Sequence, residues 1–325
     1  MSGSKVLVSE VGPRDGLQSI KKVMPTEAKL RWISALASAG LKEIEVGSFV
    51  PPKLLPQMAD IREVVAHALS IPGLHVAVLA PNLRGCESAF EAGVHKVTLP
   101  VSVTDEHAMA NIRKTTSQLI DEVREIVALR NARYPGIEIE AGISVAFGCT
   151  IAGVVTDDQT IRMCQAMADC GVDEIGLSDT SGYANPTQVR RLFRRLQSEF
   201  GNKAGGAHFH NTRGQGLANV VAALDVGVRT IDASQAGLGG CPYAPGATGN
   251  IVTEDLIFML EAMGYDTGID VDALVAARSI LSDALPGEAL YGHIPDAGLP
   301  KGFRYADGRA PSSPQPEGCL LGVSQ

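Results

Sequence analysis

The chain has 325 residues, of which 45% are hydrophobic and 20% charged, with a formal net charge of −8. That balance supplies a large core and excludes a disordered chain. The negative charge argues against a nucleic-acid footprint, which is normally a basic patch or stripe. No apolar run reaches the length of a membrane span, and the first residues lack the apolar stretch of a secretory leader. The expectation is a cytoplasmic protein acting on a small molecule, with no nucleic-acid or membrane partner. Its six cysteines (Cys86, Cys149, Cys164, Cys170, Cys241, Cys319) have no CxxC spacing, which fits reduced thiols.

In chain order, short apolar or alternating runs begin near Lys5, Glu43, His75, Lys96, Glu138, Glu174, Gly205 and Thr230. Their starts lie 21 to 42 residues apart, room for a strand, a loop, a helix and a return. Helical patterns fill the gaps at 26–39, 57–70, 111–133, 214–226 and 252–263. Thr156 with Gln159 has capping-box spacing, and Asn185-Pro186 with Gln188 opens a further helix. Gly40, Gly93, Gly171 and Gly227 sit where helices stop. Eight βα units predict a closed TIM (β/α)8 barrel over residues 1–285. Residues after about 265 read as two short helices, and 286–325 as a partly irregular C-terminal extension. The competing doubly wound sheet lacks a G-x-G-x-x-G between its first strand and helix.

A barrel places its chemistry on the loops after the strands. Arg14 and Asp15 follow strand 1, Glu45 lies on strand 2, Asp179 ends strand 6, His208 and His210 lie on strand 7, and Cys241 and Asn250 follow strand 8. Alternation along a strand points His208 and His210 the same way. Closure of the ring makes strands 7, 8 and 1 neighbours, so Asp15 stands beside the two imidazoles. Two nitrogens, a carboxylate and an amide oxygen suit Mg2+ or Mn2+ with positions left for substrate and water. Zinc hydrolases built on barrels carry their H-x-H on the first strand, not the seventh. Arg14, beside the metal ligand, is suited to an enolate oxygen, and Glu45 is expected to hold Arg14 through a bidentate bond. The glycine-rich run 237–250 reads either as a phosphate cradle, without a P-loop lysine, or as a mobile lid carrying Cys241. The lid with a proton-shuttling Cys241 is the favoured reading. The remaining cysteines are assigned to packing.

The stretches EVGPRDGLQ (10–18), EVGSFVPPK (45–53), SDT (178–180), HFHN (208–211) and GLGGCPYA (237–244), with GN (249–250) and TED (253–255), resemble 3-hydroxy-3-methylglutaryl-CoA lyases of the DRE-TIM metallolyases. The likeness runs from about residue 5 to 285. It implies retro-Claisen cleavage of 3-hydroxy-3-methylglutaryl-CoA to acetyl-CoA and acetoacetate. It further implies a divalent cation on Asp15, His208, His210 and Asn250, Arg14 at the enolate, Glu45 orienting the site, and Cys241 moving protons. Asp179 and Glu254 would support acid/base chemistry, and Gln18 and Lys21 would lie near the acyl-CoA substrate. A homo-oligomer is expected. The chain departs from the family pattern at FGCTIAG (147–153), at SDTSG (178–182) and at Ile20, so a related branched 3-hydroxyacyl-CoA such as citramalyl-CoA is the alternative substrate. A Claisen-condensing synthase is disfavoured by the cysteine loop. A Schiff-base aldolase is disfavoured because Lys96, opening strand 4, is expected to face the wrong end of the barrel.

Overall fold

The computed structural model describes residues 4–239 and 249–312. Eight parallel strands close into one barrel in sequence order: β1 (Leu7–Glu10), β2 (Glu43–Ser48), β3 (His75–Leu79), β4 (Lys96–Ser102), β5 (Glu138–Ser144), β6 (Glu174–Asp179), β7 (Ala204–Phe209) and β8 (Thr230–Ala233). Closure comes from β1 pairing with β8, Ser9 opposite Asp232. Residues pointing outward, such as Ile44, Val76, Val97, Ile139, Ile175 and Ile231, are fully buried beneath the helices. Parallel strands covered in this way favour β-branched residues.

The helices are α1 (Thr26–Ser38), α2 (Ile61–Leu69), α3 (Leu83–Ala92), α4 (Asp105–Ile112), α5 (Thr116–Arg133), α6 (Asp157–Cys170), α7 (Pro186–Phe200), α8 (Gly216–Leu224), α9 (Thr253–Ala262), α10 (Val271–Ala284) and the single turn α11 (Ile294–Ala297). Thr156 and Gln159 form the expected capping box, and the Asn185 side chain accepts from the Gln188 amide. Gly93 and Gly171 terminate α3 and α6 in the left-handed conformation. The single helix expected at 111–133 is two, because Arg113 takes a left-handed φ of 58° and Thr115 starts a new capping box. No helix among the described residues is long and apolar enough to cross a membrane.

Beyond the barrel, α10 packs on α1. The irregular stretch after α11 is anchored as well. Tyr305 is buried and its hydroxyl accepts from the Val271 amide at 2.9 Å, while Glu261 accepts from Ala306 at 2.7 Å.

The barrel interior departs from the usual filling. Most such barrels stack bulky Val, Ile and Leu inside. Here Ser9, Ala77, Thr98, Gly142, Gly176 and Gly206 face inward and leave a cavity of about 730 Å³, open at the C-terminal end of the strands. Lys96, the first residue of β4, lines the cavity at the end away from the catalytic face. It pairs with Glu43 at 2.7 Å and Glu140 at 3.3 Å. Burial disfavours its charge, but Glu140, Glu43 and Glu174 outweigh that and hold its pKa well above the ordinary value. A lysine kept protonated in this way is a poor Schiff-base nucleophile.

Candidate active site

The turn after β1 is wound tightly over Gly12–Gly16, with the Asp15 and Gly16 amides both bonded to the Val11 carbonyl. Beneath it the buried Glu10 carboxylate accepts from the amides of Gly12 and Gln235, each at 2.8 Å, and from the Thr253 hydroxyl at 2.7 Å. One side chain thus ties the turn to the end of β8 and the start of α9. Burial pushes Glu10 up to about 8, against hydrogen bonds from Thr253, Gln235 and Gly12 that favour its charged form. Because that value lies above the ordinary 4.5, the stability Glu10 contributes is complete below pH 4.5 and is lost as pH rises through about 8. The urea midpoint is therefore expected to fall between about pH 5 and pH 9, and to fall less steeply in Glu10→Gln. An equal slope in the two proteins would contradict this.

The turn presents Arg14 and Asp15 to the cavity. Arg14 donates through Nε to Glu45 Oε2 and through its terminal nitrogen to Asp15 Oδ1 at 2.6 Å. The expected bidentate grip by Glu45 is not formed. Arg14 divides its fork between two carboxylates, and Glu45 Oε1 is buried without a hydrogen-bond partner. His208 and His210 face each other, Nε2 to Nε2, at 3.1 Å, and His210 Nε2 lies 3.9 Å from Asp15 Oδ2. Asn250 reaches them because 249–251 return alongside the end of β7, with Asn211 N bonded to Gly249 O and Ile251 N to Phe209 O. Its Nδ2 donates to Asp15 Oδ2 at 2.6 Å. Close approach explains two of the loop's glycines. A Cβ on Gly239 would lie 2.7 Å from Asn250 Nδ2, and one on Gly249 would overlap the Gly239 carbonyl.

Asp15, His208 and His210 offer ligand atoms within 4.8 Å of one another. Cis ligands of an octahedral ion bound at ~2.1 Å lie roughly 3 Å apart, which is the spacing of the two imidazole nitrogens. Asn250 Oδ1 and His210 Nδ1 are buried without hydrogen-bond partners. An orphaned amide oxygen beside this cluster fits a hard divalent cation. Burial opposes ionisation of Asp15, but Arg14, His208 and His210 bring it down to about 2. Burial and the neighbouring His208 bring His210 down to about 4, so its ring is neutral and able to ligate at neutral pH.

A residue unnoticed in the sequence completes the cluster. Asp232 on β8 holds His208 Nδ1 at 3.0 Å and lines the cavity. Burial lowers the His208 pKa, but Asp232 outweighs it and the net direction is upward. A carboxylate on one imidazole nitrogen leaves the other turned to the ion and sets the tautomer. The only hint in the sequence is a charged residue in the middle of the strand TIDA. Asp232→Asn is expected to weaken divalent-cation binding by roughly 10- to 100-fold in calorimetry. Unchanged affinity would show that Asp232 does not orient the ligand.

Gln18 lines the cavity, whereas Lys21 is exposed and outside the lining. Asp179 and Glu254 are not brought to the cavity. Asp179 Oδ1 accepts from the Tyr183 and Ala184 amides, fixing the turn after β6, and burial raises its carboxyl to about 6. Glu254 accepts from Arg278 at 2.7 Å and from the Ala236 amide at 3.1 Å, holding the start of the loop after β8. Cys149 is buried, its sulfur accepting from the Ile151 and Ala152 amides. Of the divergent loops after β5 and β6, only Ser178 and Thr180 touch the cavity. Cys241 lies outside the described residues.

The fold and this site define a closed (β/α)8 barrel with a candidate divalent-metal centre at its catalytic end. The family profile described as HMGL-like matches residues 5–281. Hydroxymethylglutaryl-CoA lyase of Bacillus subtilis is 38% identical over 281 residues, 86% of this chain and 93% of that one. The 3-hydroxy-3-isohexenylglutaryl-CoA/hydroxymethylglutaryl-CoA lyase of Pseudomonas aeruginosa is 41% identical over 273 residues, 84% of this chain and 90% of the relative. An HMG-CoA lyase structure from Acinetobacter baumannii, in complex with coenzyme A and 3-methylmalate, superposes with a TM-score of 0.86 at 37% identity, covering 92% of this chain and 97% of that one. The chain belongs to the HMGL-like family.

Proposed function

We propose that the protein is a divalent-cation-dependent carbon–carbon lyase that cleaves 3-hydroxy-3-methylglutaryl-CoA to acetyl-CoA and acetoacetate. The observation that carries this reading is the Arg14 guanidinium, held by Glu45 and Asp15, at the edge of the Asp15, His208, His210 and Asn250 cluster. The relatives named for this reaction support it.

Mg2+ or Mn2+ held by those four residues would supply Lewis acidity, lowering the pKa of the substrate's tertiary hydroxyl. Cys241, in its thiolate form, takes that proton as the C2–C3 bond breaks and is left holding it for the enolate. The electron pair passes to the thioester as an enolate, and C3 becomes the ketone of the departing 3-oxo acid. Arg14 donates to the enolate oxygen, and Glu45 on Nε fixes the plane of the guanidinium before charge develops. Cys241 delivers the proton that turns the enolate into the acetyl group. Gln18 contacts the acyl portion, while Asp179 and Glu254 act by holding the backbone of the loops around the site. The cavity lining includes Arg113, a cation suited to the phosphates of CoA.

The test is metal removal. Chelated protein is expected to release acetyl-CoA from the thioester at background rate, with turnover restored by Mg2+ or Mn2+. Equal release with and without chelator would overturn the reading.

A further inference from the structure

The thioester to be cleaved carries a free carboxylate two bonds from C3, and the mechanism above gives it no partner. A buried carboxylate without donors is too costly to keep ionised. The cations of the cavity are committed elsewhere. Arg14 is divided between Glu45 and Asp15, Lys114 pairs with Glu122, and Arg113 is set against the phosphates of CoA. Lys96 is already matched by Glu43 and Glu140, and the Glu140 carboxyl fills the space beside Gly176, so the floor offers an anion neither charge nor room.

One arc of the wall is different. Ser102 on β4 lies opposite Ser144 on β5, the pairing of Ile143 with Leu177 brings Ser144 beside Ser178 on β6, and Ser178 lies opposite His208 on β7. Residues paired in register point to the same face, and neighbouring strands are about 4.8 Å apart. Three hydroxyls therefore run in a row away from the cation ligand His208. Ser178 and Ser144 line the cavity. Ser102 is fully buried because His107 of α4 covers it: Ser102 Oγ lies 2.8 Å from His107 Nδ1, and the imidazole takes its place in the lining. Burial holds the His107 pKa below its ordinary value, so the ring is neutral at neutral pH. A buried hydroxyl against a neutral ring nitrogen donates to it, which leaves the ring proton on Nε2. The nearest acid of β5 in the lining, Glu140, is four residues below Ser144, roughly 13 Å along the strand. The row thus offers donors to an anion without a facing carboxyl.

We propose that Ser178, Ser144 and His107 receive the free carboxylate of the acyl chain, so that the enzyme selects CoA thioesters whose acyl chain ends in an acid. The inference deepens the lyase reading and rests on it. The C3 hydroxyl is on the cation and the thioester oxygen at Arg14. Of the two groups left on C3, the methyl needs no donor and the carboxymethyl arm does. Ser178 stands one strand from His208, within reach of an acid carbon two bonds from C3. The bond changes are those already given, and the carboxylate leaves unchanged on the 3-oxo acid.

The experiment is calorimetric binding to Mg2+-loaded protein of glutaryl-CoA and pentanoyl-CoA. These thioesters have equal chain length, lack the C3 hydroxyl and so are not cleaved, and differ in the terminal carboxylate. Wild type is expected to bind glutaryl-CoA roughly 100-fold more tightly, as several hydrogen bonds to one charged group allow. Ser178→Ala and His107→Phe are each expected to weaken glutaryl-CoA about tenfold or more, the loss of one such bond, with less than about a threefold change for pentanoyl-CoA. Equal affinities of wild type for the two thioesters overturn the proposal. So does a preference that Ser178→Ala retains in full, or an equal weakening of both thioesters in that variant, whose small change keeps the test valid if His107→Phe does not fold. Acetyl-CoA release, measured separately, tests the lyase reading. Release together with equal affinities removes the carboxylate pocket alone, and a preference lost in Ser178→Ala without release removes the lyase reading alone.

Discussion

Asp15→Asn is expected to reduce turnover by roughly three orders of magnitude while leaving the barrel folded. Asp15 does two things at once: one oxygen pairs with Arg14 at 2.6 Å, and the other faces His210 and Asn250. Asparagine keeps the shape and an acceptor but removes the charge that balances both a cation and a guanidinium. A bound cation contributes several kcal/mol to stabilising charge, and at about 1.4 kcal/mol per tenfold this corresponds to on the order of 10³ in rate. Cation affinity, measured by calorimetry, should fall with activity. The thermal transition should move little, since Arg14 retains Glu45. A variant with wild-type turnover would remove Asp15 from the centre.

The second large effect concerns Arg14 and separates oxyanion stabilisation from metal binding. Arg14→Lys preserves the charge but not the fork that reaches Glu45 and Asp15 together. Removing one preorganised donor at a developing oxyanion costs about 10²–10³ in kcat. That loss is expected here with KM nearly unchanged and cation affinity within a few-fold of wild type. Arg14→Met goes further. It strands the buried Glu45 carboxylate, and breaking a buried pair in this way costs about 3–5 kcal/mol of stability. If Arg14→Lys instead lost cation binding and kept kcat at saturating metal, Arg14 would serve the ligands and not the enolate.

Much of this was legible from residues alone. The eight strands begin within two residues of the alternating runs, because a strand's side-chain period depends on immediate neighbours. Capping at Thr156 and Asn185 and the stops at Gly93 and Gly171 followed for the same reason. His208 and His210 converge because they are alternate positions of extended backbone at the end of β7, and ring closure put Asp15 next to them. One expectation failed on a local signal: the break at Arg113 is followed at once by the capping box of Thr115 and Gln118, which starts a second helix. The other failures were non-local.

The order of strands, the nature of the candidate ligands and their common side of the ring were set by patterns within a few residues and by the count of βα units. The register around the barrel and the return of the loops settled the rest. They drew Asn250 onto Asp15 across 235 positions, placed Asp232 behind His208, turned Asp179 and Glu254 away from the cavity to hold loop backbone, and buried Lys96 among carboxyls inside the barrel. Such meetings depend on how far each strand slides against the next when the sheet closes, a quantity summed over the whole ring that no short stretch of chain encodes.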